Sequence, residues 1–218
     1  MPTSTVEDYL KRILAEEQAA AGGELVSMGR VGAALGVAPG TVTAMMKALS
    51  DSGLVAYEPY SGVRLTQAGR QLALHVLRRH RLVELFLVKV LDLDWTEVHR
   101  EAESLEHAVS DRVLAAIDDM LGHPAVDPHG DPIPDAGLRV DTNRLRSLDA
   151  LEPGEEATVK RVPDGDSDLL RYLAGLRLVP GGRVTMRRSE PFDGPVTVVV
   201  EGAEHAISRE LAMQIGIA

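Results

Sequence analysis

The chain has 218 residues, of which 44% are hydrophobic and 26% charged, the balance of a soluble globular protein of one large or two to three small domains. The net charge of −10 argues against a uniformly basic nucleic-acid binder, and the absence of cysteine excludes disulfides, thiolate metal sites and cysteine nucleophiles together. With no run of about 18 apolar residues and no basic-then-apolar leader in MPTSTVEDYL, a cytoplasmic protein without a membrane partner is expected.

Val6–Ala21 is expected as a helix, because Val6, Leu10, Ile13 and Leu14 recur at helical spacing and Gly22-Gly23 stops it. Ser27–Leu35 reads as a short helix with Ser27 as its N-cap. Gly36 breaks the chain, and Pro39 opens a third helix that runs to about Ser52 and stops at Gly53. Two short helices around a glycine turn are the helix-turn-helix pattern. Strands at Leu54–Tyr57 and Val63–Leu65, around Pro59, Ser61 and Gly62, add a hairpin wing. Residues 1–73 are therefore assigned to a winged helix-turn-helix domain.

Helices at Gln67–Leu91, Trp95–Val109 and Asp111–Leu121 follow, and residues 74–137 are assigned to a helical domain. His123–Gly137, rich in proline, glycine and aspartate, reads as a linker. Strands at Thr158–Val162, Arg183–Arg188 and Pro195–Glu201, with short helices near Ser167–Ala174 and Ser208–Gln214, predict a small β-barrel of about 65 residues within residues 138–218. The fold class is mainly α with small β.

Charge is unevenly spread. Residues 1–80 carry eight basic and seven acidic side chains, so the first third can approach a phosphate backbone while the acidity sits further on. In a helix-turn-helix the second helix presents its N-terminal residues to base edges. Here these are Pro39, Gly40, Thr41, Thr43 and Ala44, with Lys47 one turn on. They are small and weakly polar, so readout is expected to rest largely on DNA shape and phosphate contacts. Lys47 and Arg64 on the wing are the phosphate-contact candidates.

The segment WTEVHREAESLEH carries His99, Glu103, Glu106 and His107 within roughly 100° of one helical face. An upstream helix carries a second His-x3-Glu pair, His80 and Glu84. Imidazoles and carboxylates converging from two helices suit a divalent metal. A solvated, salt-bridged face explains either pair alone; both together favour the metal. His75, His123, His129 and His205 lack a carboxylate at ligand spacing and read as surface or structural.

The segments EDYLKRI, RRHRLVELFL, EVHREAESLEHAVSD and DPHGDPIP, together with the winged helix-turn-helix, resemble the diphtheria toxin repressor family of iron- and manganese-dependent bacterial regulators. The C-terminal part is similar to the SH3-like domain of its longer members. The resemblance implies a homodimer joined through the helical domain, on palindromic operator DNA. It implies one site built from Asp8, Glu103, Glu106 and His107, and another from His80, Glu84 and His99 with help from the SH3-like domain. In that domain Asp164, Asp166 and Asp168 are the candidates, Asp168 aligning best. Iron-type members place sulfur ligands where Asp8 and Glu103 stand, so the oxygen donors here point to Mn2+, with Fe2+ the alternative and Co2+ or Zn2+ as substitutes in vitro. Lys11 stands where short manganese members place a carboxylate.

The expected function is thus a Mn2+-activated repressor of metal-uptake and homeostasis genes, not an enzyme, with no small-molecule substrate. The alternatives are an Fe2+-dependent repressor of iron-uptake genes and a helical metalloenzyme. No nucleophile elbow, phosphate loop or dinucleotide fingerprint accompanies the latter. A peptide-binding role for the barrel is disfavoured by its few aromatics, Tyr172 and Phe192.

Overall fold

The computed structural model describes residues 3–20, 23–141 and 145–218. The chain divides into two compact units, Met1–Arg79 with Pro134–Arg139, and His80–Ile133 with Val140–Ala218.

The first unit holds α1 (Ser4–Ala19), α2 (Met28–Leu35), α3 (Pro39–Asp51), β1 (Val55–Glu58), β2 (Gly62–Leu65) and the start of α4 (Gln67–Leu91). Thr3 caps α1 by accepting from the Val6 amide, and Ser27 caps α2 from the Arg30 amide. The helix ends at Ala19; the expected stop at Ala21 and Gly22 lies outside the described residues. Leu10, Ile13, Leu14, Val31, Val42, Met46 and Leu49 form one buried core with Val26, Val55, Val63 and Leu65, the stripe that helical spacing anticipates. The wing is antiparallel, from Val55 opposite Leu65 to Glu58 opposite Gly62. Val26 adds a rung to its outer edge, pairing with Val63 in both directions. Thr66 caps α4 by accepting from the Gly69 amide, and its hydroxyl donates to the carbonyls of Gly53 and Leu54. A Cβ on Gly69 would lie 1.9 Å from the Leu54 carbonyl oxygen, so only glycine lets α4 start against the end of this turn.

The second unit holds the rest of α4, α5 (Val98–Leu105) and α6 (Asp111–Met120), followed by the β-rich region. Leu82, Leu85, Leu114, Ile117 and Ile133 form one helical core; Val83, Leu87, Val98 and Ala102 form a second. α5 is shorter than its apolar spacing suggests. The Asp94 carboxylate accepts from the Thr96 amide and hydroxyl, a local turn that competes with helix. At the other end the chain leaves the helix after Leu105, before Ser110 caps α6.

The β-rich region comprises β3 (Arg146–Ser147), a 3-10 turn (Leu148–Ala150), β4 (Glu156–Arg161), α7 (Ser167–Gly175), β5 (Arg183–Ser189), β6 (Val196–Val200), β7 (Ala203–Ile207), α8 (Arg209–Gln214) and β8 (Gly216–Ile217). The antiparallel sheet runs β3-β8-β4-β5-β6-β7. The predicted barrel is thus an SH3-like sheet that does not close. Its terminal strands, β3 and β7, have one neighbour each among the described residues, and β3 is held by only two residues of β8. Leu148, Val159, Leu170, Leu173, Val184, Met186, Val198 and Ile215 fill its core.

The proline-rich stretch from His123 is ordered in its first part. Val126 pairs with Pro132, and the Asp127 side chain accepts from the amides of His129 and Asp131. The His129 carbonyl accepts from the Val162 amide at 3.0 Å. Gly130, at φ +92°, brings the loop so close to β4 that a Cβ would lie 1.8 Å from the Lys160 carbonyl oxygen. Gly130→Ala is expected to destabilise this unit by about 1–3 kcal/mol through overpacking and a disfavoured φ. Gly165→Ala, whose Cβ meets nothing within 4 Å, should be near neutral. Urea unfolding of both variants checks this, and equal stabilities would refute the close-approach argument.

Candidate functional site

On α3, Pro39, Gly40, Thr41, Ala44 and Lys47 are exposed while Val42, Met46 and Leu49 are buried, so one face is free for a partner. Thr43 is half-buried and its hydroxyl donates to the Pro39 carbonyl at 3.0 Å, leaving it only acceptor capacity. Ala38 gives α3 no side-chain cap, so first-turn backbone donors remain available to a phosphate. Arg64 is exposed on β2.

In the second unit, α4 and α5 bring together the histidine and glutamate side chains that spacing singled out. His80 is held between two carboxylates, Nδ1 2.6 Å from Glu106 Oε2 and Nε2 2.9 Å from Glu84 Oε1. His99 Nδ1 lies 3.1 Å from Glu84 Oε1, and its Nε2 lies 3.5 Å from Glu103 Oε1. His107 Nε2 is 3.5 Å from Glu106 Oε1. Glu84 and Glu106 have no solvent exposure at all. A neutral imidazole offers one N–H, so His80 can satisfy both carboxylates only with a second proton or with a cation in its place. His80, Glu84 and His99 can converge on one ion. Glu106 and His107 project from the turn after α5 rather than from the helix itself.

A further group was not legible at ligand spacing. Glu84, Asp127 and His129 present donor atoms within 4.8 Å of one another, all buried. His129 is therefore a buried residue, not one on the surface. Its Nε2 donates to the Trp95 carbonyl at 2.9 Å, which leaves a lone pair on Nδ1, the tautomer a metal ligand needs. That Nδ1, Glu84 Oε2 and Asp127 Oδ2 are all buried without a hydrogen-bond partner. Such orphaned atoms are costly, and three acceptors aimed together fit a divalent cation.

Asp127, Asp131 and Asp164 form an adjoining acidic group, faced by Arg81 at 3.5 Å from both Asp127 and Asp131. Of the three aspartates of the PDGDSD segment, Asp164 joins this group. Asp166 caps α7 by accepting from the amides of Asp168 and Leu169. Asp168 is exposed and ion-paired with Arg171, and belongs to no ligand group among the described residues. His99, the most accessible of the cluster imidazoles, opens onto a cavity of about 280 Å³ lined also by Arg100, Asp164, Asp168 and Arg171. Asp8 stands on α1, in the first unit.

Electrostatics follow this geometry. Burial alone would raise the Glu84 carboxyl, but the charge of His80 and hydrogen bonds from His80 and His99 hold it well below the usual carboxylate range. Hydrogen bonds to Glu103 and Glu84 push His99 up to about 10 against the effect of burial. Asp127 is pushed well up, first by burial and then by the charges of Asp131 and Glu84, with Arg81 opposing; burial likewise raises Asp131. Carboxylates so disfavoured in their charged form are what a bound cation stabilises.

Comparison with known proteins bears on the same three regions. Residues 1–63 match the iron-dependent repressor N-terminal DNA-binding domain, residues 66–135 the iron-dependent repressor metal-binding and dimerisation domain, and residues 146–218 the FeoA domain. The iron-dependent repressor IdeR of Mycobacterium tuberculosis is 31% identical over 226 residues, spanning 98% of this chain and 96% of its own length. The regulator MntR of Shouchella clausii is 35% identical over 123 residues, 56% of this chain and 82% of its own. A solved manganese-dependent transcriptional repressor in complex with manganese is 39% identical with a TM-score of 0.88, over 98% of this chain and 99% of its own. ScaR with bound Zn2+ is 31% identical with a TM-score of 0.83, over 100% and 99%. These relatives are DNA-binding regulators rather than enzymes. The chain therefore belongs to the diphtheria toxin repressor family of metal-dependent transcriptional repressors.

Proposed function

We propose that this repressor is activated by Mn2+ and controls manganese uptake and homeostasis genes as a homodimer on palindromic operator DNA. The observation that carries the metal reading is the trio of buried acceptors on Glu84, Asp127 and His129 that no hydrogen bond satisfies. Mn2+ is supported by the wholly oxygen and nitrogen donor set in a chain without cysteine, and by the manganese-dependent relative. Fe2+, acting at iron-uptake genes, is the second reading, favoured by the iron-dependent relatives. Co2+ and Zn2+ fit the same donors in vitro.

Asp8, Glu103, Glu106 and His107 are assigned to the activating site, with Asp8 the ligand that the first unit contributes. His80, Glu84 and His99 are assigned to a second site, with Asp127 and His129 joining it through Glu84. The contribution of the β-rich region is assigned to Asp164 rather than Asp168. A divalent cation supplies these groups with the positive charge that their burial denies them. Glu106 and His107 then hold α5 in register with Asp8, which orders α1 and with it the reading head. Thr41, Thr43 and Ala44 face the groove, with Pro39 and Gly40 at the helix start, and Lys47 and Arg64 hold phosphates. Exposed Val90, Leu105, Val113 and Met120 on the helices of the second unit support a dimer interface there, and a two-fold dimer matches a palindrome.

On duplexes selected from a palindromic library by the Mn2+-loaded protein, Mn2+ should tighten binding by about 5–150-fold, the usual range of allosteric coupling. Glu106→Ala should abolish that gain while leaving metal-free DNA binding unchanged. Fluorescence anisotropy with anaerobic Mn2+, Fe2+, Co2+ and Zn2+ measures it. Activation by Fe2+ at lower concentration reassigns the metal, and metal-independent binding removes the switch.

The pH dependence has a definite sign. His99, raised from 6.5 to about 10, stabilises the metal-free fold fully below about pH 6.5, and that contribution is lost as pH rises through about 10. Metal requires the neutral ring, so binding at pH 7 releases its proton. Apparent affinity should rise by up to about tenfold per pH unit for each proton displaced. Calorimetry in buffers of different ionisation heat counts those protons; affinity constant from pH 6 to 8 would contradict this.

A further inference from the structure

Glu17 occupies an unusual place for a glutamate on a surface helix. One carboxylate oxygen accepts from the Leu65 backbone amide at 2.7 Å, and the other is ion-paired with Arg70 at the start of α4. The side chain is only 12% exposed. The Leu65 amide belongs to the edge of the wing that turns away from β1. One rung earlier on that edge, Val63 is paired with Val26. Glu17 thus stands in for a strand acceptor and satisfies the next donor with a charge, the stronger kind of hydrogen bond. The preceding residue, Glu16, ties the same end of α1 to α2 through Arg30 at 2.5 Å. Asp8 lies nine residues back, about 13 Å along the helix and about 180° around it. One bar therefore carries the metal-ligand candidate at one end and on one face, and the grip on the wing at the other end and on the opposite face.

We propose that Glu17 is the positioning residue through which ordering of α1 reaches the wing and Arg64. It touches neither metal nor DNA. It transmits by fixing β2 to α1, so that the wing takes its DNA-bound position only when α1 is held. This inference rests on the proposed metal switch with Asp8 as a ligand.

The test is a linkage cycle on the full chain, with the selected palindromic duplex and Mn2+ as probes. DNA affinity is measured with and without Mn2+, and Mn2+ affinity without DNA, for wild type, Glu17→Ala, Glu17→Gln and Arg70→Gln. For Glu17→Ala the Mn2+ enhancement of DNA binding is expected to fall about tenfold, with Mn2+ affinity of the free protein within about twofold of wild type. Glu17→Gln, which keeps the acceptor for Leu65 but loses the charge on Arg70, should fall between. Faster amide exchange at Leu65 in the alanine variant is the local signature. If Glu17→Ala does not fold, Glu17→Gln and Arg70→Gln carry the test by the same drop in enhancement. Undiminished enhancement in the Glu17 variants overturns the proposal. So does an equal loss of DNA affinity with and without Mn2+, which marks a merely structural role. A wild type without any Mn2+ enhancement fails differently, since it removes the switch itself.

Discussion

Burying two glutamates, one on α4 and one in the turn after α5, without solvent exposure is the constraint on which this structure turns. Taking a carboxylate out of water costs on the order of several kcal/mol even after relaxation, so Glu84 and Glu106 must be met by positive charge. The imidazoles meet it in part. His80 lies between the two, and His99 leans on Glu84 from the side. On the proposed reading this lets the helical unit persist without a metal, which a switch needs, because a protein that unfolds when unloaded has one folded state and nothing to select. The compensation is incomplete by design of the geometry. Glu84 turns one oxygen to the histidines and the other towards His129 and Asp127, where no hydrogen bond satisfies it.

What the sequence made legible is what periodicity encodes. His80 with Glu84, and His99 with Glu103, announce themselves by i, i+4 spacing, and the core of the reading head by its apolar stripe. Residues in loops carry no such signal. Asp127 and His129 sit in a short ordered turn, and what makes them ligand candidates is long-range: the Trp95 carbonyl that fixes the His129 tautomer and the close approach of Gly130 to β4. The run DPHGD could have drawn attention through its density of oxygen and nitrogen donors, but nothing in it points to Glu84, more than forty residues earlier. The same blindness explains the choice among Asp164, Asp166 and Asp168. Each is an acidic residue in a turn, and only the fold shows that one caps α7, one pairs with Arg171 and one faces Asp127 and Asp131. The strands β3 and β8, two residues each, are too short for any alternation to show, and with them went the distinction between a closed barrel and an open sheet.

Net charge misleads here because it sums two different uses of carboxylates. In the first unit Glu16 and Glu17 are structural and paired with arginine: Glu16 with Arg12 and Arg30, Glu17 with Arg70. Lys47 and Arg64 are left exposed, and on the proposed reading they act close to the phosphates, where screening over about 8–10 Å hides the distant acidity. In the second unit a group of carboxylates is concentrated and buried, and on the proposed reading their repulsion is the source of affinity for a cation. An acidic protein can thus be a DNA binder, provided the two populations are kept apart.

Selectivity among metals is the hardest demand on such a site. Mn2+ is the weakest binder of the first-row series at most nitrogen and oxygen sites, so a repressor that answered to affinity alone would answer to copper or zinc first. Removing sulfur helps, since it takes away the bonus that softer ions gain. It does not reverse the order. On the proposed reading, discrimination lies instead in which ion can draw Asp8 into the same coordination sphere as Glu106 and His107. A small ion that prefers four ligands can be satisfied by the second unit alone, and leaves α1 loose. One that takes six hard ligands has vacancies that only a further carboxylate fills. The ordering of α1 then counts ligands rather than measuring affinity, and the contacts of Glu16 and Glu17 with the reading head turn that count into a geometry that DNA can sense.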